Sequence, residues 1–368
     1  MKAGDPLAGT SAQLGGRSAD AAARPEGGSA GTDARPEGGS AGTDARPGGR
    51  STGASAAHLG SPDPERWVSC DVGAPAAEAL LTRVFDGADA VVHLAWAVQP
   101  TPRDPDMRRT NVTGSAHVLR AAERAGVPHV VVASSVAAYT SAPGLVDEDS
   151  PCGGVPGSAY SAQKVELERL LDGRPGVARL RPCAVVQPEA GAEFDRWALS
   201  PLVPPALLGR PWLPVPLWPG LRLQLVHAED VARAILLVLR ARATGAFNVA
   251  AEPVLRASDL AAAVGGFLVP VPFRALPGPA WLTWRLGLQP LHPGWLRLAD
   301  RVSLVDTARL RGLGWAPRHD ARRALAEVVA AIAEGRGTWG PLAPHRGPRW
   351  SRLGWGQPVH QSQEGGSR

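Results

Sequence analysis

Lysine and tyrosine are almost missing from this chain: its 368 residues hold two of each, although Lys and Arg together number 39. Cysteine is scarce as well. Cys70, Cys152 and Cys183 lie far apart, form no C-x-x-C and have no histidine at ligand spacing, which argues for a reducing compartment and against a metal site. No run of 18 apolar residues exists and the N-terminus lacks the apolar core of a signal peptide, so a cytoplasmic protein with no membrane partner is expected. The formal charge of +5 and pI of about 9.7 would suit nucleic acid, yet the arginines are scattered and not interleaved with aromatics. A nucleic-acid partner is therefore not expected.

Such scarcity makes the few remaining residues informative. Tyr160 and Lys164 stand four positions apart, a spacing that random placement would give in roughly 1% of such chains. The segment Ser158-Ala-Tyr-Ser-Ala-Gln-Lys-Val-Glu-Leu-Glu-Arg-Leu-Leu171 has the pattern of an amphipathic helix, which puts both side chains on one face. An ammonium beside a phenol favours the phenolate and lowers the tyrosine pKa from about 10 toward the range of proton transfer at neutral pH. In a chain whose cations are nearly all arginine, a lysine here points to the compact ammonium, whose donor geometry the planar guanidinium does not reproduce.

Residues 1–65 are rich in Gly, Ala, Ser, Arg and Pro and repeat Ala-Arg-Pro-Glu-Gly-Gly-Ser-Ala-Gly-Thr-Asp at 23–33 and 34–44. A stretch with so little apolar surface cannot offset its chain entropy, and disorder is expected there and in the tail, 336–368. From Trp67 the pattern alternates: a strand at 67–72, a helix at 76–85, a strand at 89–95, a helix at 106–125, a strand at 129–133, the Tyr160 helix, and a strand at 177–181. After a Pro- and Trp-rich stretch come a helix over 228–241, a strand over 245–250, a helix from about Ser258 and a last helix over 321–333. Strands apolar on both faces between helices predict an α/β fold with a Rossmann-like, doubly wound parallel sheet in 66–187. The region 188–335 is expected to bind substrate and to interleave with the last strands. Ligands of such sheets bind at the carboxyl ends of the strands, where Leu94 to Trp96, Ser134 to Tyr139 and Pro182 to Val185 fall.

In order and spacing, Asp71-Val72, His93-Leu-Ala-Trp96, Asn111-Val-Thr-Gly-Ser-Ala-His-Val-Leu119, Ser134-Ser135-Val-Ala-Ala-Tyr139, Tyr160-x-x-x-Lys164, Arg181-Pro182-Cys-Ala-Val185, Val226-His-Ala-Glu-Asp-Val-Ala232 and Leu313-Gly-Trp-Ala-Pro317 form one series. Over about 66–335 it resembles the NAD-dependent epimerase/dehydratase group of the extended short-chain dehydrogenase/reductase superfamily. The resemblance implies NAD or NADP as cofactor and Tyr160 as general acid/base. It also implies that Lys164 binds the nicotinamide ribose and Ser135 the reacting oxygen of a small hydroxyl or carbonyl substrate. It further implies that Asp71 and Val72 meet the adenine, Leu94, Ala95 and Trp96 the dinucleotide backbone, and Pro182 to Val185 the carboxamide. A homodimer through the helices near 106–125 and 158–171 is implied in the same way. Ser134 and Ser135 can also be read as helix or turn caps, Asn111 as an N-cap or structural hydrogen bonder, and Tyr139, His93, His117, His129 and His227 as packing or surface residues.

Two departures stand out. The Gly-rich turn that opens the family's fold is reduced to Gly9-Thr-Ser-Ala12-Gln-Leu-Gly15, so the first βαβ unit is degraded or missing. Unless residues near 3–17 serve as a strand and helix, the strand at 89–95 would keep an unpaired edge. Nucleotide-sugar members often carry an arginine where Leu223 stands here, with Arg222 beside it, and an offset of one in a strand reverses the face. A nucleotide sugar and a non-nucleotide alcohol, ketone or lactone are both open on this reading. So is a different class altogether, a cofactor-defective relative that binds a small molecule or a partner protein without turnover.

Overall fold

A computed structural model of the chain describes residues 67–98, 107–191, 194–195, 205–289 and 292–337. The tandem repeat, the Gly9 to Gly15 tract, the expectation of a first strand near 3–17 and the tail from 338 lie outside the described residues. Those from Val68 onward belong to one compact unit.

Three successive valines set the architecture. In β2 (Val130–Ala133), Val130 and Val132 pack in one core cluster and Val131 in another, as the period of two in a strand requires. β2 pairs in parallel with β1 (Val91–His93) on one side and β3 (Val177–Pro182) on the other, and β3 pairs in parallel with β4 (Gly245–Val249). The order is thus β1-β2-β3-β4. Leu81 of α1 (Ala77–Val84), Val118 and Leu119 of α2 (Ser115–Arg124), and Leu167 and Leu171 of α3 (Ala159–Leu171) join the Val130 side. Ala234 and Val238 of α4 (Ala228–Ala241) join Val131, Leu180 and Phe247 on the opposite face. Parallel strands covered by helices on both faces form the expected doubly wound sheet. Its fourth strand comes from the C-terminal region, which also pairs Leu225–His227 with Ala184–Val186.

Two elements differ from expectation. Residues 67–71 form no ladder with any described strand and run into a turn closed by Ala74 N–H donating to the Asp71 carbonyl at 2.9 Å. The helix expected over 106–125 is wound as a π-turn, Arg109–Gly114, before continuing as α2. Gly114 fits there because Val72 lies against it: a Cβ would stand 2.7 Å from the Val72 Cγ2. Among the described residues β1 is an edge strand.

Candidate active site

α3 begins where Ser158, in extended conformation, accepts the Ser161 N–H at 3.3 Å and caps the first turn. The helix then carries Tyr160 and Lys164 on the face turned to the carboxyl ends of the strands. Tyr160 lies between two indoles, Trp96 from the segment after β1 at 6.2 Å between ring centroids and Trp295 at 5.1 Å. Ser135, just past β2, lines the same cavity as Tyr160, and its hydroxyl, 3.5 Å from the Pro182 carbonyl to which it donates, acts to lower the pKa of the phenol. The same Ser135 Oγ accepts the Ala137 N–H at 3.1 Å and so caps the short turn that follows.

Lys164 is buried, donates to the Ala133 carbonyl at 2.9 Å, and holds Nζ 3.4 Å from the centroid of the Trp96 ring. A cation on an indole face is a favourable pairing. Its Nζ is 5.8 Å from the Tyr160 ring centroid. The expected electrostatic dialogue between lysine and tyrosine is therefore not the dominant effect here. Burial raises the Tyr160 pKa, opposed by the Ser135 hydroxyl, and burial pushes Lys164 down to about 7, opposed by the Glu168 charge.

Ser135 and Tyr160 open on a cavity of about 420 Å³ to which Pro182, Cys183, Val185, Leu223 and Trp295 contribute. Thus Ser135, Tyr160, Lys164, Trp96, Pro182 and Val185 come together. Trp96 Nε1 is buried and has no hydrogen-bond partner among the described residues. Leu94 is exposed and Ala95 half-buried in the same segment. Asp71 and Val72 lie elsewhere. One Asp71 carboxylate oxygen accepts the Gly73 N–H at 3.0 Å and the other pairs with Arg109 at 2.8 Å, while the Val72 side chain is in the core.

Asn111 is a structural hydrogen bonder within the π-turn. Its side chain accepts Ala97 N–H at 2.6 Å and donates to the Ala97 carbonyl at 2.9 Å and to Gln163 Oε1 at 2.7 Å, tying the Trp96 segment to α3. His93 is packed as expected, bonded to Ser115 Oγ at 2.8 Å, and burial followed by the Lys164 charge drops its pKa to about 4. Tyr139, by contrast, belongs to a buried polar network: its hydroxyl donates to Asn248 Oδ1 at 2.7 Å and accepts from Arg181 at 2.8 Å. Sequence reasoning missed that network and Trp295. The signal for the network was the two arginines, Arg179 and Arg181, amid apolar β3; for Trp295 there was none, since it meets Tyr160 only through tertiary packing. Away from the cavity His227, Glu229 and His319 bring ligand-type atoms within 4.8 Å of one another. His227 Nδ1 already caps α4 by accepting the Glu229 N–H.

A doubly wound parallel sheet with Ser135 past β2 and Tyr160 of α3 lining one cavity places the protein in the Rossmann-like class of short-chain dehydrogenases/reductases. Residues 9–250 match the NAD dependent epimerase/dehydratase family, and the chain belongs to that family. It is 30% identical over 279 residues to dTDP-glucose 4,6-dehydratase of Streptomyces griseus, covering 71% of this chain and 77% of the relative. With Rv0501, an uncharacterized protein of Mycobacterium tuberculosis, it shares 27% identity over 294 residues, 76% of this chain and 73% of the other. Among solved structures, DesIV, a dTDP-glucose 4,6-dehydratase of Streptomyces venezuelae with NAD bound, is 25% identical with a TM-score of 0.54, covering 76% of this chain and 83% of that one. A short-chain dehydrogenase/reductase superfamily protein of Agrobacterium tumefaciens with bound NAD shares the fold at 22% identity and a TM-score of 0.53, over 72% and 84% of the two chains. Among the described residues no helix is long and apolar enough to cross a membrane.

Proposed function

We propose that this chain is an NAD-dependent oxidoreductase of the epimerase/dehydratase type, acting at one hydroxyl or carbonyl carbon of a small molecule. The observation that carries this reading is that Ser135 and Tyr160 line one cavity, with Lys164 one helical turn further on. Bound NAD supplies a hydride acceptor or donor. Tyr160 moves the proton at the substrate oxygen, and the Ser135 hydroxyl in the same cavity orients that oxygen. Lys164 and the unpartnered Trp96 Nε1 are the donors suited to the nicotinamide half, with Pro182 and Val185 forming the adjoining wall. Burial keeps Tyr160 protonated at neutral pH, which suits proton donation to a carbonyl.

The test is Tyr160→Phe, read as NADH formation or consumption against a panel of alcohols and ketones, with NAD affinity measured in parallel by calorimetry. A loss of about 10²–10⁴ in turnover with unchanged NAD affinity is expected. Equal turnover in variant and parent would remove Tyr160 from the chemistry. A second reading, the binding protein without turnover, draws support from Asp71, whose two carboxylate oxygens are committed to Gly73 and Arg109. Failure of a folded chain to bind NAD would favour it. Homodimerisation through the helices near 106–125 and 158–171 belongs to the same proposal and is read by light scattering.

A further inference from the structure

We propose that the substrate is an uncharged, largely apolar alcohol or ketone and not a sugar nucleotide; this rests on the oxidoreductase reading above. The wall facing Ser135 and Tyr160 is built from apolar side chains, among them Val185, Leu223, Trp295, Leu298 and Leu304. No Arg, Lys, His, Asp or Glu is among the described residues of that lining. Besides Ser135 and Tyr160, the polar side chains in it are Gln224 and Ser303, and both are already engaged. Gln224 donates to the Val305 carbonyl at 3.0 Å and accepts the Val305 N–H at 2.7 Å. Ser303 donates to the Thr140 carbonyl at 3.0 Å and accepts the Ala142 N–H at 3.1 Å. Among the described hydroxyl, amide and charged side chains of the lining, those left to a ligand are Ser135 and Tyr160, at the reacting end.

The described wall offers a diphosphate no cation. Taking its charges out of water demands paired cations or several directed donors, most often arginine in bidentate contact. The nearest candidate in sequence, Arg222, is turned away. It contributes with Asp300 and Arg301 to an adjoining hollow that shares Val302 and Leu304 with the cavity, while Leu223 takes the place on the cavity side, as the alternation of a strand dictates. An apolar body with one carbinol or carbonyl group matches both ends of the cavity. Reduction of such a ketone balances as gain of a hydride from NADH at the carbonyl carbon and of the Tyr160 phenol proton at its oxygen, giving the alcohol and NAD, with the phenol reprotonated from water.

The experiment uses the full chain and two readouts. In turnover with NADH, straight-chain methyl ketones from butanone to octanone should gain in kcat/KM by about fourfold per added methylene, the increment that apolar transfer provides. Leu223→Asp should flatten that slope and leave NAD affinity unchanged. In equilibrium binding to the Tyr160→Phe variant with NADH present, octanone should bind and UDP-glucose and dTDP-glucose should not. Tyr160-dependent turnover or tight binding of either sugar nucleotide overturns this inference and leaves the oxidoreductase reading intact. Octanone binding without Tyr160-dependent turnover of any ketone defeats the oxidoreductase reading alone. If neither ketone nor sugar nucleotide binds, the inference falls.

Discussion

Arg181 grips Glu168 through two hydrogen bonds, Nε to Oε1 at 2.9 Å and Nη2 to Oε2 at 2.8 Å, where the side chains keep 5% and 4% of their exposure. The pair joins β3 to α3 one turn beyond Lys164. Ser134 donates to the same Oε1, Arg179 Nη1 to Oε2 at 3.0 Å, and Arg181 Nη1 continues to the Tyr139 hydroxyl and the Glu148 carbonyl. Burial would raise the Glu168 pKa, but the Arg181 hydrogen bond and charge hold it below the ordinary carboxylate range. Ser134 is thereby fixed as structure, and its neighbour Ser135 is left to face Tyr160.

Cutting one side of this pair strands a buried charge. Arg181→Met and Glu168→Leu should each destabilise by about 3–5 kcal/mol, whereas the double variant should cost clearly less than the sum, because it removes both charges together. Urea unfolding of the four proteins in the cycle checks this. Additive losses would mean that the two side chains are not coupled.

Lys164 makes a prediction whose sign depends on pH. Burial pushes its pKa down to about 7, against about 10.4 in an unfolded chain. Between those values the unfolded chain binds a proton that the native state has released, so stability rises with pH across that window. Below it the native state carries a buried charge. Lys164→Met removes the titration. It should therefore gain on the parent most near about pH 6, by on the order of 1–3 kcal/mol after losing the Ala133 bond and the Trp96 contact, and the gap should close toward about pH 10. Thermal melts across that range decide it. A gap that widens with pH contradicts the buried-ammonium reading.

Much of this fold was legible because local signals and tertiary demand agreed. α4 at 228–241 and the helix at 321–333 fall where expected, each started by a side chain that caps it, His227 and Asp320. The valine runs that form β1 and β2 are apolar on both faces, which only a covered parallel sheet accommodates. The strand expected at 67–72 shows the limit: alternation describes one chain, whereas a ladder needs a neighbour. The π-turn at 109–114 left no trace in composition, since the extra residue per turn is a matter of packing against Val72. At the site, spacing brought out Tyr160 and Lys164, yet where the ammonium points was decided by Trp96, a residue 68 positions away in sequence. The side on which Arg222 and Leu223 fall was readable in advance, because strand alternation needs no tertiary information.

Asp230 explains why two short motifs far apart in the chain belong together. It is fully buried in the first turn of α4, and its carboxylate accepts the Arg318 N–H at 2.9 Å, the His319 N–H at 3.0 Å and a contact from His319 Nδ1 at 3.0 Å. Its carbonyl accepts Trp315 Nε1 at 3.0 Å. Val226 to Ala232 thus pins Leu313 to Pro317 and delivers the chain to the last helix. Burial alone would raise the Asp230 pKa, but the backbone hydrogen bonds from Arg318 and His319 and the His319 ring keep it below the ordinary value. A depressed folded pKa contributes stability that is complete above the unfolded value of about 3.9 and is lost on acidification through the folded one. Asp230→Asn keeps the shape but turns an NH₂ donor toward groups that donate. It should cost about 1.5–3 kcal/mol at neutral pH, and the difference from the parent should shrink as pH falls below the carboxylate range. Urea midpoints at neutral and acidic pH measure both parts. A constant difference would show that the charge of Asp230 contributes nothing beyond its shape.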